Sequence, residues 1–279
     1  MHVLYFTKSA GYEHSVVRWS GRQFSHSEAL LAEIGAANGI EFTFSQDGGL
    51  FSEAYLAPFD VIAFYTSGDL LSVGIDGQPA MTLSGKQALL DAVANGKGFV
   101  GIHGAADTFH TGESGGGNPT DRANRYKVHG EGADPYIRML GGEFINHGPQ
   151  QVATARVADT AFPGMAGLDG AWTCYEEWYS NKEFAENLHV LLVMESVGMD
   201  SVDYQRPPYP LAWARMHGKG RVWFNGMGHR EDVWDAPQFR SMLTGALLWA
   251  GGEVEADVTP NIDTATPEAR VMPPERDGT

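Results

Sequence analysis

Three histidines and a pair of glutamates in this sequence have the residue types and the surroundings of a reactive site. His103 follows the apolar run FVGI, His147 lies in GGEFINHGPQ, and His229 follows VWFNGMG, so glycine lies near each of them and lets a ligand approach closely. Glu176 and Glu177 lie among aromatic residues in TCYEEWYSN. Three imidazoles with a carboxylate form a ligand set that suits zinc or another first-row divalent metal. We predict a metal site at His103, His147, Glu177 and His229, and catalytic roles for His103, Glu176, Glu177 and His229.

A purely structural interpretation stays open for each of these residues. A single histidine beside glycine is commonly a hydrogen-bonded structural residue, and Glu176 and Glu177 could lie on the solvated face of a strand. The spacing does not match a local metal motif such as HExxH. We leave six other histidines out of the predicted site; they are His2, His26, His110, His129, His189 and His217.

The chain alternates between strand-like and helix-like segments. Apolar runs predict strands at residues 3–6, 42–44, 59–65, 97–102, 151–158 and 189–195, and a hairpin at 209–217 and 220–225. Helical spacing predicts helices at residues 25–38, 84–95, 136–140 and 237–251. This alternation indicates one α/β domain whose sheet is mostly parallel, with at least five parallel strands. The glycine-rich stretch within residues 108–135 is predicted to be a long loop.

Ligands of such sheets bind outside the carboxyl ends of the strands. That rule selects the residues directly after each predicted strand, at 7–14, 66–70, 103–107 and 226–231. His103 and His229 both lie in these segments, and the purely structural interpretation loses weight because several reactive groups map to one edge of one sheet.

Composition excludes several classes of function. The chain has 279 residues, 43% of them hydrophobic, and a formal net charge of −16, which disfavours nucleic acid and anionic membrane surfaces as partners. No window of about 18 apolar residues is present, and the first residues lack the pattern of a signal peptide, so we expect a cytoplasmic protein. GESGGGN lacks the ending of a phosphate-binding loop, and no GxGxxG follows the first strand, so we expect no nucleotide.

Covalent acyl chemistry has little support in the sequence. Cys174 is the single cysteine, so no intrachain disulfide can form, and it lies beside the glutamate pair rather than on a strand-to-helix turn. Ser9 and Ser67 follow strands, but neither lies in GxSxG. A hydrolase or amidotransferase that uses Cys174 is therefore the least favoured hypothesis.

Six segments together resemble the trehalose-utilisation (ThuA-like) family; they are VLYFTKSAGYEHSVV, FDVIAFYTSGD, GKGFVGIHGAAD, LGGEFINHGPQQ, YEEWY and PLAWARMHGKGRVWFNGMGHR. The resemblance covers about residues 1–252, and we predict that residues 253–279 form a C-terminal tail. The most specific pieces are GIHGAAD and GKGRVWFNGMGH taken together.

The resemblance implies a three-layer, flavodoxin-like fold similar to that of class I glutamine amidotransferases. In those enzymes a cysteine lies on the strand–turn–helix elbow and a later His-x-Glu completes the triad. Here His103 occupies the elbow position, and His229 and Glu231 match the later pair, so glutamine hydrolysis through a thioester is not possible. Glu176, Glu177 and Tyr179 match the family's acidic-Glu-x-Tyr motif, in which the first acid is usually Asp.

The family connection implies a function in sugar catabolism. The first hypothesis is an enzyme that acts on a disaccharide or its 3-keto derivative, by glycosidic cleavage or by proton abstraction next to a ketone, with or without a metal. We expect a small sugar as substrate, a sugar dehydrogenase as a candidate upstream partner, and a chain that could form a homo-oligomer. The expected sugar-binding residues are Tyr12, His14, Asp107, Tyr179, Trp213 and Arg215, although the aromatic ones could equally be core residues.

The alternative is a protein without catalytic activity. On this interpretation a fold that has lost amidotransferase activity binds a sugar or docks on a dehydrogenase. Turnover separates the two hypotheses, since a binder takes up a sugar and leaves it unchanged.

Overall fold

The computed structural model describes residues 1–19, 21, 23–112 and 122–275, with only the main chain described for residues 122 and 123. Most of the glycine-rich segment predicted as a loop, residues 113–121, lies outside the described residues. The strands are β1 (His2–Phe6), β2 (Glu41–Ser45), β3 (Val61–Phe64), β4 (Gly98–Ile102), β5 (Glu143–His147), β6 (Gln151–Val157), β7 (Ala171–Glu176), β8 (Tyr179–Lys182), β9 (His189–Met194), β10 (Tyr209–His217) and β11 (Gly220–Asn225). The α-helices are α1 (His26–Asn38), α2 (Glu53–Leu56), α3 (Leu83–Ala94), α4 (Arg122–Arg125), α5 (Pro135–Leu140), α6 (Glu231–Asp235), α7 (Pro237–Ala250) and α8 (Ile262–Ala265).

Nine strands form one sheet in the order β2-β1-β3-β4-β11-β10-β9-β6-β7, and β5 pairs with β8 in a separate ribbon. The first five strands of this order are parallel to one another, and each later neighbour is antiparallel to the one before it. Helices α3 and α5 contact each other and β11, while α7 contacts β4 and β11 and packs with α6 and, through it, α1. The sheet is therefore sandwiched between two helical groups, which confirms the predicted single α/β domain.

The central strands are buried because helices cover both of their faces. Every residue of β3 and β4 is buried, as their nearly continuous apolar sequences predict. The first helix begins at the N-cap Ser25, whose side chain accepts from the backbone N–H of Glu28 while the Glu28 side chain accepts from Ser25, and it ends at Gly39 in the left-handed conformation. These local signals explain why the first half of the fold is predictable.

Three strands differ from the predicted pattern. β5, β7 and β8 were not predicted, because their sequences mix aromatic, polar and charged residues without a regular alternation. All four residues of β8 are nevertheless buried, including the charged Lys182. Tertiary contacts around the site therefore determine these strands.

Residues 253–275, within the predicted C-terminal tail, pack against the domain over much of their length. The Arg206 guanidinium donates from Nη2 to the carbonyl of Ala269 at 2.6 Å, and Val190 and Asn261 exchange two hydrogen bonds between backbone and amide side chain. Ile262 and Ala269 are buried. The attachment uses a few isolated apolar residues and carbonyl groups, so it leaves no periodic pattern in the sequence.

Among the described residues, no helix is both long enough and apolar enough to span a membrane.

Candidate functional site

Four side chains from separate parts of the chain meet at the carboxyl edge of the sheet. His103 follows β4, His229 follows β11, His14 lies in the loop after β1, and Glu177 follows β7. Four antiparallel pairings separate β7 from β11, so both strands run in the same direction and their carboxyl ends lie at the same edge. Sheet topology thus brings together residues that are more than 200 positions apart.

One ligand atom from each of His14, His103, Glu177 and His229 lies within 4.8 Å of the other three. Glu177 Oε2 is 3.0 Å from His229 Nδ1 and 3.5 Å from His103 Nε2. His14, His103 and Glu177 are buried, and His229 is partly buried. We call these four residues the His–Glu cluster.

The backbone at His103 adopts an unusual conformation that aims its ring. Its φ is +42°, in the left-handed region that non-glycine residues rarely occupy. The next residue, Gly104, cannot carry a side chain, since a Cβ there would lie 2.5 Å from the Thr66 carbonyl oxygen. The ring of His103 packs against the ring of Tyr179, with 3.9 Å between ring centroids and 35° between the ring planes. The elbow therefore delivers one rigid imidazole to the edge of the sheet.

The tautomer of His103 follows from its hydrogen bond. Nδ1 lies 2.8 Å from the carbonyl oxygen of Gly226, which can only accept, so Nδ1 carries the proton and Nε2 of the neutral ring is a lone pair. Nε2 is buried and makes no hydrogen bond, and the same is true of His229 Nδ1, although both atoms face Glu177. At His103 a lone pair therefore faces a carboxylate oxygen, which is repulsive, and a cation between them would remove the repulsion.

Burial sets the charge of the histidines in the cluster. It lowers the pKa of His103 despite the neighbouring Glu177 carboxylate. It also lowers the pKa of His14 well below its usual range, and the neighbouring His103 and His229 lower that pKa further. Burial also opposes the charged form of His229, but Glu177 outweighs it and raises that pKa. The pKa of Glu177 would rise on burial, but His103 and His229 hold it well below its usual range. Two neutral imidazoles and one ionised carboxylate are the forms that bind metals.

Glu176 supports the cluster rather than joining it. Its two carboxylate oxygens accept from the backbone N–H groups of Glu177, at 2.7 Å, and Gly228, at 2.8 Å. Burial raises its pKa to about 7 against the lowering effect of these bonds. Tyr65 and Trp234 donate to the Gly228 carbonyl from the other side. Three side chains thereby fix the backbone of Gly228, the residue before His229.

His147 lies beside the cluster but is not one of its four mutually close ligands. Its Nδ1 is 3.4 Å from Glu177 Oε1, and 39% of its side chain is exposed. His14 takes the fourth position instead. Sequence reasoning named His14 only as a sugar-binding residue; the available signal was its place in the loop after the first parallel strand, at the same edge as His103.

Of the predicted sugar-binding residues, three besides His14 lie around the cluster. Tyr12 is 54% exposed and its ring meets that of His14 edge-on, at 4.8 Å between centroids. The Tyr179 ring packs against His103, as described above. Asp107 ends the 3-10 turn that begins at His103, and its carboxylate is bonded to His110.

Trp213 and Arg215 do not lie in the cluster, contrary to the prediction. Trp213 is fully buried, donates from Nε1 to the Leu140 carbonyl and packs on aromatic core residues. Arg215 donates to the carbonyls of Arg138 and Met139 at the end of α5. β10 is antiparallel to β11, so Arg215 pairs with Val222 and lies away from the carboxyl edge.

A large cleft of about 1050 Å³ lies elsewhere, near the amino ends of the parallel strands, with Asp60, Lys97 and Lys219 in its lining. The Lys97 ammonium is satisfied by the carbonyls of Ala57 and Phe59. This cleft holds none of the residues of the His–Glu cluster, so we place the chemistry at the cluster.

The fold and the site define an α/β protein with a histidine–carboxylate centre at the carboxyl edge of its sheet. The family model for trehalose utilisation, ThuA, matches residues 2–250, and the chain belongs to this family. Membership implies a carbohydrate-related role.

Solved structures of similar fold include three bacterial proteins. A putative ThuA-like protein from Bacteroides uniformis superimposes with a TM-score of 0.63 at 17% identity, covering 89% of this chain and 90% of that one. A putative ThuA-like protein from Parabacteroides merdae gives 0.54 at 16%, covering 99% and 97%. A cytoplasmic protein from Salmonella typhimurium LT2 gives 0.55 at 16%, covering 90% and 98%. At these identities the superpositions show a shared fold and no more. Among curated proteins, no sequence matches.

Proposed function

We propose that this protein is a metal-dependent enzyme of sugar catabolism that acts on a disaccharide or its 3-keto derivative. It would cleave the glycosidic bond or abstract the proton next to the ketone. The observation that carries the proposal is the pair of unbonded, buried ring nitrogens of His103 and His229 facing the Glu177 carboxylate. A buried polar atom without a partner is costly, and a divalent cation would satisfy all three groups at once.

The residues present fit such an ion. His14, His103 and His229 would supply imidazole nitrogens and Glu177 a carboxylate oxygen, which suits zinc or another first-row divalent metal. Second-sphere bonds are in place, because the Gly226 carbonyl fixes the His103 ring and Glu176 holds the loop before His229. A bound ion of this kind acts as a Lewis acid toward a ketone or hydroxyl oxygen.

The neighbouring side chains supply binding and proton transfer. His147 Nδ1 lies 2.8 Å from the Gly148 carbonyl oxygen and 3.4 Å from Glu177 Oε1, which places the partly exposed ring at the edge of the cluster. This arrangement suits a general base at the entrance of the site. Tyr12 offers an exposed ring face for a sugar, and the Tyr179 hydroxyl and Asp107 offer hydrogen bonds to sugar hydroxyls.

The proposal extends to the cellular setting. A 3-keto sugar is made by oxidation of a sugar hydroxyl, so a sugar dehydrogenase would act upstream of this protein. A cytoplasmic location and a homo-oligomeric state are further parts of the proposal; the Salmonella protein of the same fold is called cytoplasmic.

Metal analysis and turnover test the proposal together. We expect about one zinc-class ion per chain and turnover of 3-keto-trehalose or a 3-keto-glucoside. His103→Ala and Glu177→Gln should each lower metal affinity at least about 100-fold and abolish turnover, because each removes a ligand. His26→Ala is the matched control, since His26 pairs with Asp235 in an exposed position; it should leave both measurements unchanged.

The outcomes separate the hypotheses. Sugar binding without turnover, measured by calorimetry, would support the non-catalytic binder. Absence of both metal binding and turnover across a panel of keto sugars would reject the proposal.

A further inference from the structure

A second group of charged side chains is buried next to the His–Glu cluster. His110 lies between two carboxylates, with Nε2 2.6 Å from Asp107 Oδ1 and Nδ1 3.0 Å from Glu143 Oε1. Glu143 also accepts from the Thr111 backbone N–H, and Lys182 Nζ is 3.4 Å from its other oxygen. These side chains are all buried. The chain of contacts therefore runs Asp107–His110–Glu143–Lys182.

These contacts require His110 to be an imidazolium. Each ring nitrogen faces an acceptor, and a neutral ring can donate from only one nitrogen, leaving a lone pair against the other carboxylate. Burial alone would lower the pKa of His110, but the hydrogen bonds to Asp107 and Glu143 raise it to about 9. The negative charges of Asp107 and Glu143 are thus balanced by the positive charges of His110 and Lys182. Arg125 Nη2 also lies 3.6 Å from Asp107 Oδ1.

Only one of the two carboxylate oxygens of Asp107 is hydrogen-bonded in this arrangement. Oδ1 accepts from His110, whereas Oδ2 accepts no hydrogen bond from the residues that the structure describes. Asp107 also lies on the same 3-10 turn as His103, and it is the neighbouring charge that most raises the pKa of Tyr179, whose ring packs against His103. One oxygen is anchored by His110, and the other makes no hydrogen bond within the described residues.

A purely stabilising role explains the row of contacts Asp107–His110–Glu143–Lys182 poorly. Buried ion pairs commonly add less stability than apolar residues of the same volume, because desolvation offsets the attraction. An anchored carboxylate with one open oxygen is instead what recognition of a sugar hydroxyl needs, since the orientation is fixed before the ligand arrives.

We propose that Asp107 binds a sugar hydroxyl through Oδ2 and that His110, backed by Glu143, is the positioning residue that orients its carboxylate. This inference rests on the proposed function, because it concerns the sugar of the same site. His110 was not among the residues selected from the sequence, and it contacts none of the cluster ligands in the described contacts.

Calorimetry with 3-keto-trehalose and trehalose on the zinc-loaded protein tests the inference. We expect Asp107→Asn and His110→Gln each to weaken sugar binding at least about 10-fold while zinc affinity stays within about 2-fold, because neither residue is a metal ligand. The double variant should bind no more weakly than Asp107→Asn alone, since His110 acts through Asp107. In turnover assays the loss should fall on KM more than on kcat.

His189→Gln is the matched control. His189 is also buried and bonded at both nitrogens, to Asp159 at 3.0 Å and to the Thr259 carbonyl at 2.7 Å, but it lies on β9 next to the C-terminal segment. It should lower stability as His110→Gln does and leave sugar affinity unchanged. Nitrogen-15 spectra should show both ring nitrogens of His110 protonated at neutral pH in the wild type.

The outcomes distinguish this inference from the proposed function. If the wild type binds sugar and His110→Gln or Asp107→Asn binds it equally well, the inference is overturned and the proposed function stands. If the zinc-loaded wild type binds none of the sugars, the proposed function fails and the inference falls with it. Asp107→Asn preserves side-chain shape, so it remains informative even where His110→Gln does not fold.

Discussion

At the scale of single residues, burial divides the histidines of this protein into two kinds. His14 and His103 have lowered pKa values, because the interior disfavours their charged forms. His110 has a raised pKa, because two carboxylates outweigh the same burial. Neutral rings can bind a metal, whereas a charged ring can orient a carboxylate. The number and placement of acidic neighbours therefore decides what each imidazole can do.

The charge of His110 predicts a pH dependence of stability. Its folded pKa of about 9 exceeds the unfolded value, so the folded state binds the extra proton between the two. The stabilisation is fully present below about pH 6.5 and is lost as pH rises through about 9, amounting to roughly 3 kcal/mol. We expect the difference in free energy of unfolding between wild type and His110→Gln to shrink by this order between pH 6 and pH 10, measured by urea denaturation. A difference that does not change with pH would contradict an imidazolium at this position.

At the scale of elements, the loop from Gly226 to His229 couples the sheet to the cluster. The Gly226 carbonyl orients His103, and the Gly228 backbone is held by Glu176, Tyr65 and Trp234. Gly228 has φ +111°, and a Cβ there would lie 2.9 Å from Phe239 Cζ. A small backbone shift in this loop would thus move His229 and the partner of His103 together.

Gly228→Ala should therefore reduce metal affinity at least about 10-fold, because second-sphere disturbance commonly has effects of this size. The control is Gly39→Ala, which also has positive φ, +67°, but has open space around a Cβ and caps α1. Both variants should lose about 1 kcal/mol or more of stability from backbone strain. Zinc titration should distinguish them, and equal zinc affinity in the two variants would show that the loop does not position His229.

At the scale of the whole molecule, the C-terminal segment closes the domain around a buried arginine. Arg206 donates to the carbonyls of Asn181 and Ala269 and to Ser180 Oγ, and its guanidinium lies 4.4 Å from the centre of the Tyr209 ring. No carboxylate pairs with it in the described contacts, and burial lowers its pKa to about 10. The C-terminal segment thus accepts a hydrogen bond from the buried Arg206 guanidinium, which connects β8, next to the site, to the end of the described chain.

Removing residues 253–279 should destabilise the protein by at least about 3 kcal/mol, because it strips a carbonyl partner from a buried charge and uncovers apolar surface. Arg270→Ala is the control, since Arg270 is exposed and its ion pair with Asp263 is 3.4 Å long; it should change stability by less than about 0.5 kcal/mol. Thermal and urea unfolding provide the measurement. A truncated chain as stable as the wild type would show that the segment is dispensable.

Much of the fold was predictable from the sequence because its signals are local. The helix over residues 25–38 with its C-cap at Gly39, the apolar runs of β3 and β4, and the hairpin of β10 and β11 were all predicted near their observed bounds, since hydrophobic periodicity and cap residues act over a few positions. β5, β7 and β8 were missed, because their stability comes from partners distant in the sequence.

The sequence by itself determined the α/β class and the edge of the sheet where His103 and His229 lie, because parallel strands all present their carboxyl ends at one edge. Glu177 follows β7, a strand that the sequence did not predict, so its place beside these histidines came from the tertiary structure. Only the tertiary structure decided that His14 rather than His147 completes the four close ligands, that Trp213 and Arg215 lie outside the cluster, and that His110 bridges two carboxylates. Direction along a strand is a local property that the chain encodes directly. Distances between side chains on different strands depend on sheet order and twist, which arise only when the whole chain packs.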